Sequence, residues 1–121
     1  MFVDVVKSFV SIFLCLSDGD TTDGFFDPPT RTSPGTLCLS VMGKELSEIY
    51  HTLAHEFCHL EQWVRDDALW VKWMKRSSRK STLALERRTE EEALEMLKRF
   101  NLYDDSMLDR MNKYLRRLEN S

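Results

Sequence analysis

His55, Glu56, Phe57, Cys58 and His59 form an HExxH pattern. On a helix, two imidazoles four residues apart lie about one turn apart, close enough to hold a single metal ion. The carboxylate beside the first imidazole is then placed to take a proton from a water that the ion has acidified. The chemistry this spacing serves is zinc-dependent hydrolysis. A motif this short also arises by chance, as two packed or solvated histidines beside a surface Glu, so the rest of the chain has to supply a third ligand.

Catalytic zinc typically takes three protein ligands and leaves a fourth position for water. The chain has three histidines, and His51 precedes the motif by four residues. A ladder at i, i+4 and i+8 spans roughly 12 Å of helix. One tetrahedral ion cannot be reached by all three, and His51 is read as a supporting or packing residue. No histidine follows His59, so the remaining ligand is a carboxylate from elsewhere. Glu61, Asp66 and Asp67 lie on or just past the same helix and cannot fold back over it. Cys58, between the two histidines, projects toward the His51 side and reads as a small packing residue. Farther along, Leu83, Ala93, Leu94, Leu97 and Phe100 build an apolar helical face with Glu86 and Glu90 in its middle, while Glu91, Glu92 and Glu95 fall away from it. Carboxylates on a core face need a metal, an Arg or a strong donor. Spacing alone does not separate Glu86 from Glu90.

The elements that must position these groups follow from periodicity. Leu46, Ile49, Tyr50, Leu53, Phe57, Leu60 and Val64 recur at helical spacing. They predict a helix over residues 46–64 whose apolar stripe docks on a sheet and whose histidines face a second layer. The sheet comes from the front of the chain. Residues 9–16 are rich in β-branched and aromatic side chains and predict a buried strand, with a short helix at residues 1–8 before it. The cluster from Asp18 to Gly24 lacks the frame and the closing Glu of a calcium loop and reads as a solvated turn. Pro28 and Pro29 keep the run Phe25-Phe26-Asp27 from continuing as an inner strand. In residues 36–41, Leu37, Leu39 and Val41 alternate with Cys38 and Ser40 as on a half-buried strand. At a sheet edge, that strand would align an extended peptide.

Behind the motif, a helix is predicted over residues 82–100, capped by Ser81 or Thr82 and stopped at Asn101. A packing helix over residues 104–120 follows, with Asp104, Asp105 and Ser106 as capping candidates and Lys113, Arg116 and Arg117 as a solvated face near its end. Between the two long helices, Lys72, Lys75, Arg76, Arg79 and Lys80 surround Trp70 and Trp73. Basic residues among aromatics can hold a nucleic-acid backbone and stack on bases. The favoured reading is plainer, a short amphipathic helix with tryptophans in the core and lysines in water, because no nucleic-acid motif accompanies the patch.

At 121 residues the chain is expected to form one domain, residues 1–121, with one modest core. The fold class is α+β: a small N-terminal antiparallel sheet packed on the HExxH helix, followed by two or three C-terminal helices. A net charge of −3 gives no overall attraction to nucleic acid. Cys15, Cys38 and Cys58 match no structural zinc spacing, and an odd count fits reduced thiols and a cytoplasmic location. Asp4 offsets Lys7 and no small-residue cleavage site follows the first apolar run, which argues against export. That run is also far shorter than the ~20 residues a membrane helix needs. Oligomeric state is not legible.

The order Gly24-Phe25-Phe26-Asp27, the strand at 36–41, Thr52-Leu53-Ala54-His55-Glu56-Phe57-Cys58-His59-Leu60 and then Glu90-Glu91-Glu92-Ala93 resembles a minimal gluzincin-type zinc metallopeptidase with a zincin-like fold. It is similar to small metallopeptidases encoded by phages and bacteria, related in plan to the ImmA/IrrE and SprT-like groups. The resemblance runs from about Gly24 to Phe100, with HExxH its specific part. It implies that the third ligand is the Glu of an E-x-x-A pattern, met here by Glu90 and Ala93, with Glu86 the alternative. It implies Zn²⁺ as cofactor, bound by His55, His59 and Glu90, with Glu56 as general base acting on a peptide or protein substrate. The later histidine of SprT-like proteins and the helix-turn-helix domain common beside ImmA/IrrE-like ones are missing. Tyr50, His51, Tyr103 and Tyr114 are candidates to stabilise an oxyanion. The alternative function is a non-catalytic zinc-containing regulatory or nucleic-acid-associated protein acting near Trp70 and Trp73.

Overall fold

A computed structural model describes residues 12–17 and 24–121. The helix expected at 1–8, the first residues of the strand expected at 9–16 and most of the acidic turn lie outside the described residues. Strands β1 (Ile12–Ser17), β2 (Gly24–Asp27) and β3 (Gly35–Ser40) precede helices α1 (Leu46–Val64), α2 (Ala68–Lys75), α3 (Arg79–Arg99) and α4 (Asp105–Glu119). The α+β order expected from the sequence is present, with the sheet packed on the HExxH helix α1.

β2 pairs antiparallel with β3, Phe26 opposite Leu37, and stops at Asp27 where Pro28 and Pro29 remove two ladder donors. β1 joins the other side of β3 in parallel, Leu14 opposite Leu37, so the sheet is mixed and β3 is its central strand. This corrects the reading of residues 36–41 in two ways. The strand has no free edge, and Leu37, Cys38, Leu39 and Ser40 are all buried rather than alternately so. Among the described residues, the edge strand that contacts α1 is β2.

The larger correction concerns α1. Four of the seven residues of its expected docking stripe are exposed, Leu46 at 61%, Leu53 at 37%, Phe57 at 41% and Val64 at 38%, while Ile49, Tyr50 and Leu60 are half-buried. Its buried residues are His51, Ala54, Glu56, Cys58, His59 and Gln62. The sheet meets the flank carrying Thr52, Glu56, Leu60 and Trp63, roughly a quarter-turn from the stripe. The opposite flank packs on α3, where Ala54 and Cys58 meet Ala93, Leu94 and Leu97 with Met107 of α4. Small residues at this crossing let the two helices approach closely enough for polar side chains on both to pair, which removes the usual reason for keeping such a face in water. Cys58 is fully buried in this core, as the packing reading expected.

A second core joins Phe26, Leu37 and Leu39 of the sheet to Trp70 of α2 and Leu85 of α3. Trp70 is therefore a core residue, and Trp73 donates its indole N–H to Thr82 at 3.1 Å. Trp70 is buried and Trp73 half-buried, their rings 5.5 Å apart, while Lys72, Lys75, Arg76, Arg79 and Lys80 are exposed.

Helix ends fix how α1 and α3 enter and leave these cores. α1 stops in a Schellman turn, with Asp66 left-handed at φ 50° and the Asp67 N–H on the Gln62 carbonyl at 3.0 Å. Asp67 then caps α2 through the N–H groups of Leu69 and Trp70. The cap of α3 is Ser78, earlier than expected, because Ser78 and Ser81 exchange side-chain hydrogen bonds with each other's N–H groups. Asn101 ends α3 as expected, at φ 60°. Phe100, expected on the inner face of α3, sits in that final turn and is exposed. Asp104 caps α4. Among the described residues, no helix is long and apolar enough to cross a membrane.

Candidate metal centre

The α1–α3 crossing brings the polar residues of both helices together. The ligand atoms of His55, Glu56 and His59 lie within 4.8 Å of one another. From α3, a Glu86 oxygen lies 2.9 Å from Nε2 of His55, and its other oxygen lies 3.5 Å from Nε2 of His59. Glu90 approaches from another side, its Oε2 3.0 Å from Nδ1 of His55 and 3.2 Å from Nε2 of His51. Both carboxylates left open by helical spacing are thus at the site, and they touch different atoms.

Supporting hydrogen bonds fix the rings. Nδ1 of His59 donates to Oε1 of Gln62 at 2.9 Å, which leaves Nε2 as the nitrogen with a lone pair. Gln62 is held in turn by its own N–H on Thr89, whose hydroxyl donates to the Leu85 carbonyl. Gln62 and Thr89 are both fully buried, and no apolar periodicity pointed to them. His51 was expected to support the site, and it bridges Glu90 and the guanidinium of Arg110. The rings of His55 and His59 meet edge-on at 4.8 Å, and Trp70 lies 5.4 Å from His59.

Electrostatics follow from this packing. Burial opposes charge on His55, and Glu86 and Glu90 on its two nitrogens, with Glu56 nearby, overcome it and raise its pKa to about 10. Burial also opposes ionisation of Glu86 and Glu90, and the imidazoles against them hold each at about 2. Glu56 differs: burial raises its pKa, with His55 and His59 pulling the other way. Burial, then Glu92 and Glu61, pushes the Cys58 thiol up to about 12, which leaves no thiolate to compete for a metal.

Two imidazoles and a carboxylate are a donor set of the kind zinc takes. Tetrahedral zinc with bonds of 2.0–2.1 Å separates its ligand atoms by roughly 3.3 Å. The contacts of Glu86 with the two Nε2 atoms, at 2.9 and 3.5 Å, bracket that value. Oε2 of Glu86 is buried, with Nε2 of His55 as its near polar neighbour at 2.9 Å.

Above this cluster opens a cavity of about 940 Å³. His51, Thr52, His55, Glu56 and Glu90 line it, Gly24 of β2 lies on one side, and Arg110, Lys113, Tyr114, Arg116 and Arg117 of α4 form another wall. Gly24 is there by necessity. A Cβ at this position would stand 2.7 Å from the Cys38 carbonyl oxygen and 2.9 Å from Cγ2 of Thr52. Tyr114 reaches the site, its ring 6.0 Å from His55 and its phenol against Glu86. Tyr50 and Tyr103 instead pack beside the core of α1, α3 and α4. Lys113, Arg116 and Arg117 are exposed, as the expected solvated face requires, and the docking of α4 also sets them, with Arg110, beside the cavity.

No family model matches the chain, and neither a curated protein nor a solved structure matches it.

Proposed function

We propose that this protein is a zinc-dependent peptidase in which His55, His59 and Glu86 hold the ion and Glu56 is the general base. The observation that carries this reading is the Glu86 carboxylate, which faces Nε2 of both HExxH histidines beside a Glu on the same helix turn. Glu90, favoured by the gluzincin resemblance, suits a different task. Its contact with Nδ1 of His55 leaves Nε2 free to bind and makes the ring a stronger donor, as carboxylates behind metal-binding histidines do. When bound, zinc lowers the pKa of a water and polarises a carbonyl.

Glu56, with its pKa raised by burial, accepts a proton from the attacking water on its carboxylate and returns it to the departing amine nitrogen. Tyr114 is held above the ordinary phenol range by burial and by Glu86, Glu90 and Glu56, so it stays a proton-bearing donor for the developing charge on the carbonyl oxygen. The edge of β2 that no described strand pairs, rather than β3, is suited to aligning an extended chain, and Gly24 lets that chain come close. The free thiol of Cys58 suits the reducing cytoplasm.

The test is metal analysis joined to peptide hydrolysis. Wild type and Glu56→Gln are expected to carry one zinc each, with the variant slower by about 10²–10⁴-fold. Hydrolysis by Glu56→Gln at the wild-type rate, or a wild type with no affinity for zinc, defeats the reading.

A further inference from the structure

The wall of the cavity contributed by α4 is basic in a protein whose net charge is −3. Arg110, Lys113, Arg116 and Arg117 all line it, against one acidic residue outside the histidine cluster among the described residues, Glu48. Arg110 is fixed by Ser47 at 2.7 Å, by Ser106 and by His51. Arg117 lies over the ring of Tyr114, 6.0 Å from its centroid. Among the described residues no carboxylate pairs with Lys113, Arg116 or Arg117. Cations gathered on one concave wall focus the potential there, and an anionic group entering the cavity meets charge that no described carboxylate neutralises.

We propose that this wall selects the substrate, and that the substrate is an extended peptide segment carrying acidic residues at alternating positions. The proposal rests on the peptidase reading of the adjoining site. Lys113 and Arg117 are one helical turn apart, a rise of about 6 Å. Side chains on one face of an extended peptide recur every ~6.7 Å. Two acidic side chains separated by one residue therefore match the two cations, with Arg110 another turn nearer the histidines. A nucleic acid fits less well. Its backbone would carry charge past the wall onto the surface of an acidic protein, and Glu48 also lines the cavity.

The experiment measures binding by fluorescence anisotropy to zinc-loaded Glu56→Gln, which does not consume the peptide. Three labelled peptides share one sequence, with two alternating positions occupied by aspartate, asparagine or lysine. The aspartate peptide is expected to bind roughly tenfold more tightly than the asparagine peptide at low salt, and the lysine peptide more weakly than either. Adding Lys113→Glu with Arg117→Glu should abolish the preference. Adding Lys72→Glu with Lys75→Glu, the same charge change on α2, should leave it intact. Equal binding of the three peptides, or equal loss in both double variants, overturns the proposal. Displacement of the aspartate peptide by a lower concentration of single-stranded oligonucleotide also overturns it, in favour of a nucleic-acid site. If the acidic preference follows Lys113 and Arg117 while zinc-loaded wild type cleaves none of the peptides, the anionic selection stands and the peptidase reading fails. Cleavage of all three with no preference has the opposite meaning.

Discussion

Oε2 of Glu90 lies 3.0 Å from Nδ1 of His55, while the Nε2 side of the same ring faces Glu86. Two carboxylates one helical turn apart on α3 thus have separable tasks, and metal affinity distinguishes them. Glu86→Ala should lose stoichiometric zinc. Glu90→Gln should keep it with an affinity about 10–100-fold weaker, the usual effect of losing the partner behind a ligand. Competition with a chromophoric chelator measures both. The reverse order would give the third-ligand role to Glu90.

Chelation exposes a pH dependence with a definite sign. In metal-free protein His55 has a pKa raised from 6.5 to about 10, so its stabilisation is complete below 6.5 and is lost as pH rises through about 10. Glu86 and Glu90, lowered from 4.5 to about 2, contribute fully above 4.5 and lose that contribution as pH falls through about 2. The chelated protein should therefore melt at the highest temperature between pH 4.5 and 6.5 and at lower temperatures toward pH 10. Zinc displaces the proton from His55, so the alkaline decline should vanish on loading. A chelated protein whose Tm stays flat from pH 6.5 to 10 contradicts this arrangement.

Gln62→Leu should preserve volume and sacrifice geometry. The His59 Nδ1–H then loses its acceptor, at a cost of about 1–3 kcal/mol, while Thr89 keeps its bond to the Leu85 carbonyl. Zinc affinity should fall about tenfold or more because the ring is no longer held. Urea denaturation with and without zinc separates the two effects.

Gly24→Ala forces a methyl group against backbone oxygen and Thr52. Overpacking of this kind costs about 1–3 kcal/mol. Because Cγ of Glu56 lies 3.5 Å from the same point, hydrolysis should fall by more than the loss of folded protein explains. Urea midpoints and kcat measured on the folded fraction provide the check.

Phe57→Gln tests the orientation of α1. With Phe57 at 41% exposure the change should cost less than about 1 kcal/mol, whereas Leu85→Ala, in the core, should cost about 2–5 kcal/mol. Comparable losses would return the apolar stripe to the interior.

Much of the fold was legible where local chemistry decides. Pro28 and Pro29 end β2, Asn101 ends α3, Asp104 caps α4, and helical spacing turned Glu86 and Glu90 inward together. The buried side of α1 was not legible. Apolar counting favours the Leu46, Leu53, Phe57 and Val64 ridge, and it has no means of seeing that a polar face becomes a good interior once another polar face meets it. The pairing of β1 with β3 and the docking of α4 against the cavity depend on contacts far apart in the chain, so neither the central place of β3 nor the setting of Arg110 and Lys113 could be read from spacing.

The crossing of α1 and α3 has a consequence for how this protein can change over generations. His55, His59, Gln62, Glu86, Thr89 and Glu90 occupy space that leucines would fill in an ordinary helix pair. Replacing one charged member strands another in the interior, at roughly 3–5 kcal/mol, against a total stability of about 5–15 kcal/mol for a domain. Gradual decay one residue at a time therefore passes through chains that barely fold. Descendants are expected to keep the constellation whole or to exchange it in matched pairs for apolar residues, so a copy with a half-eroded site should be rare.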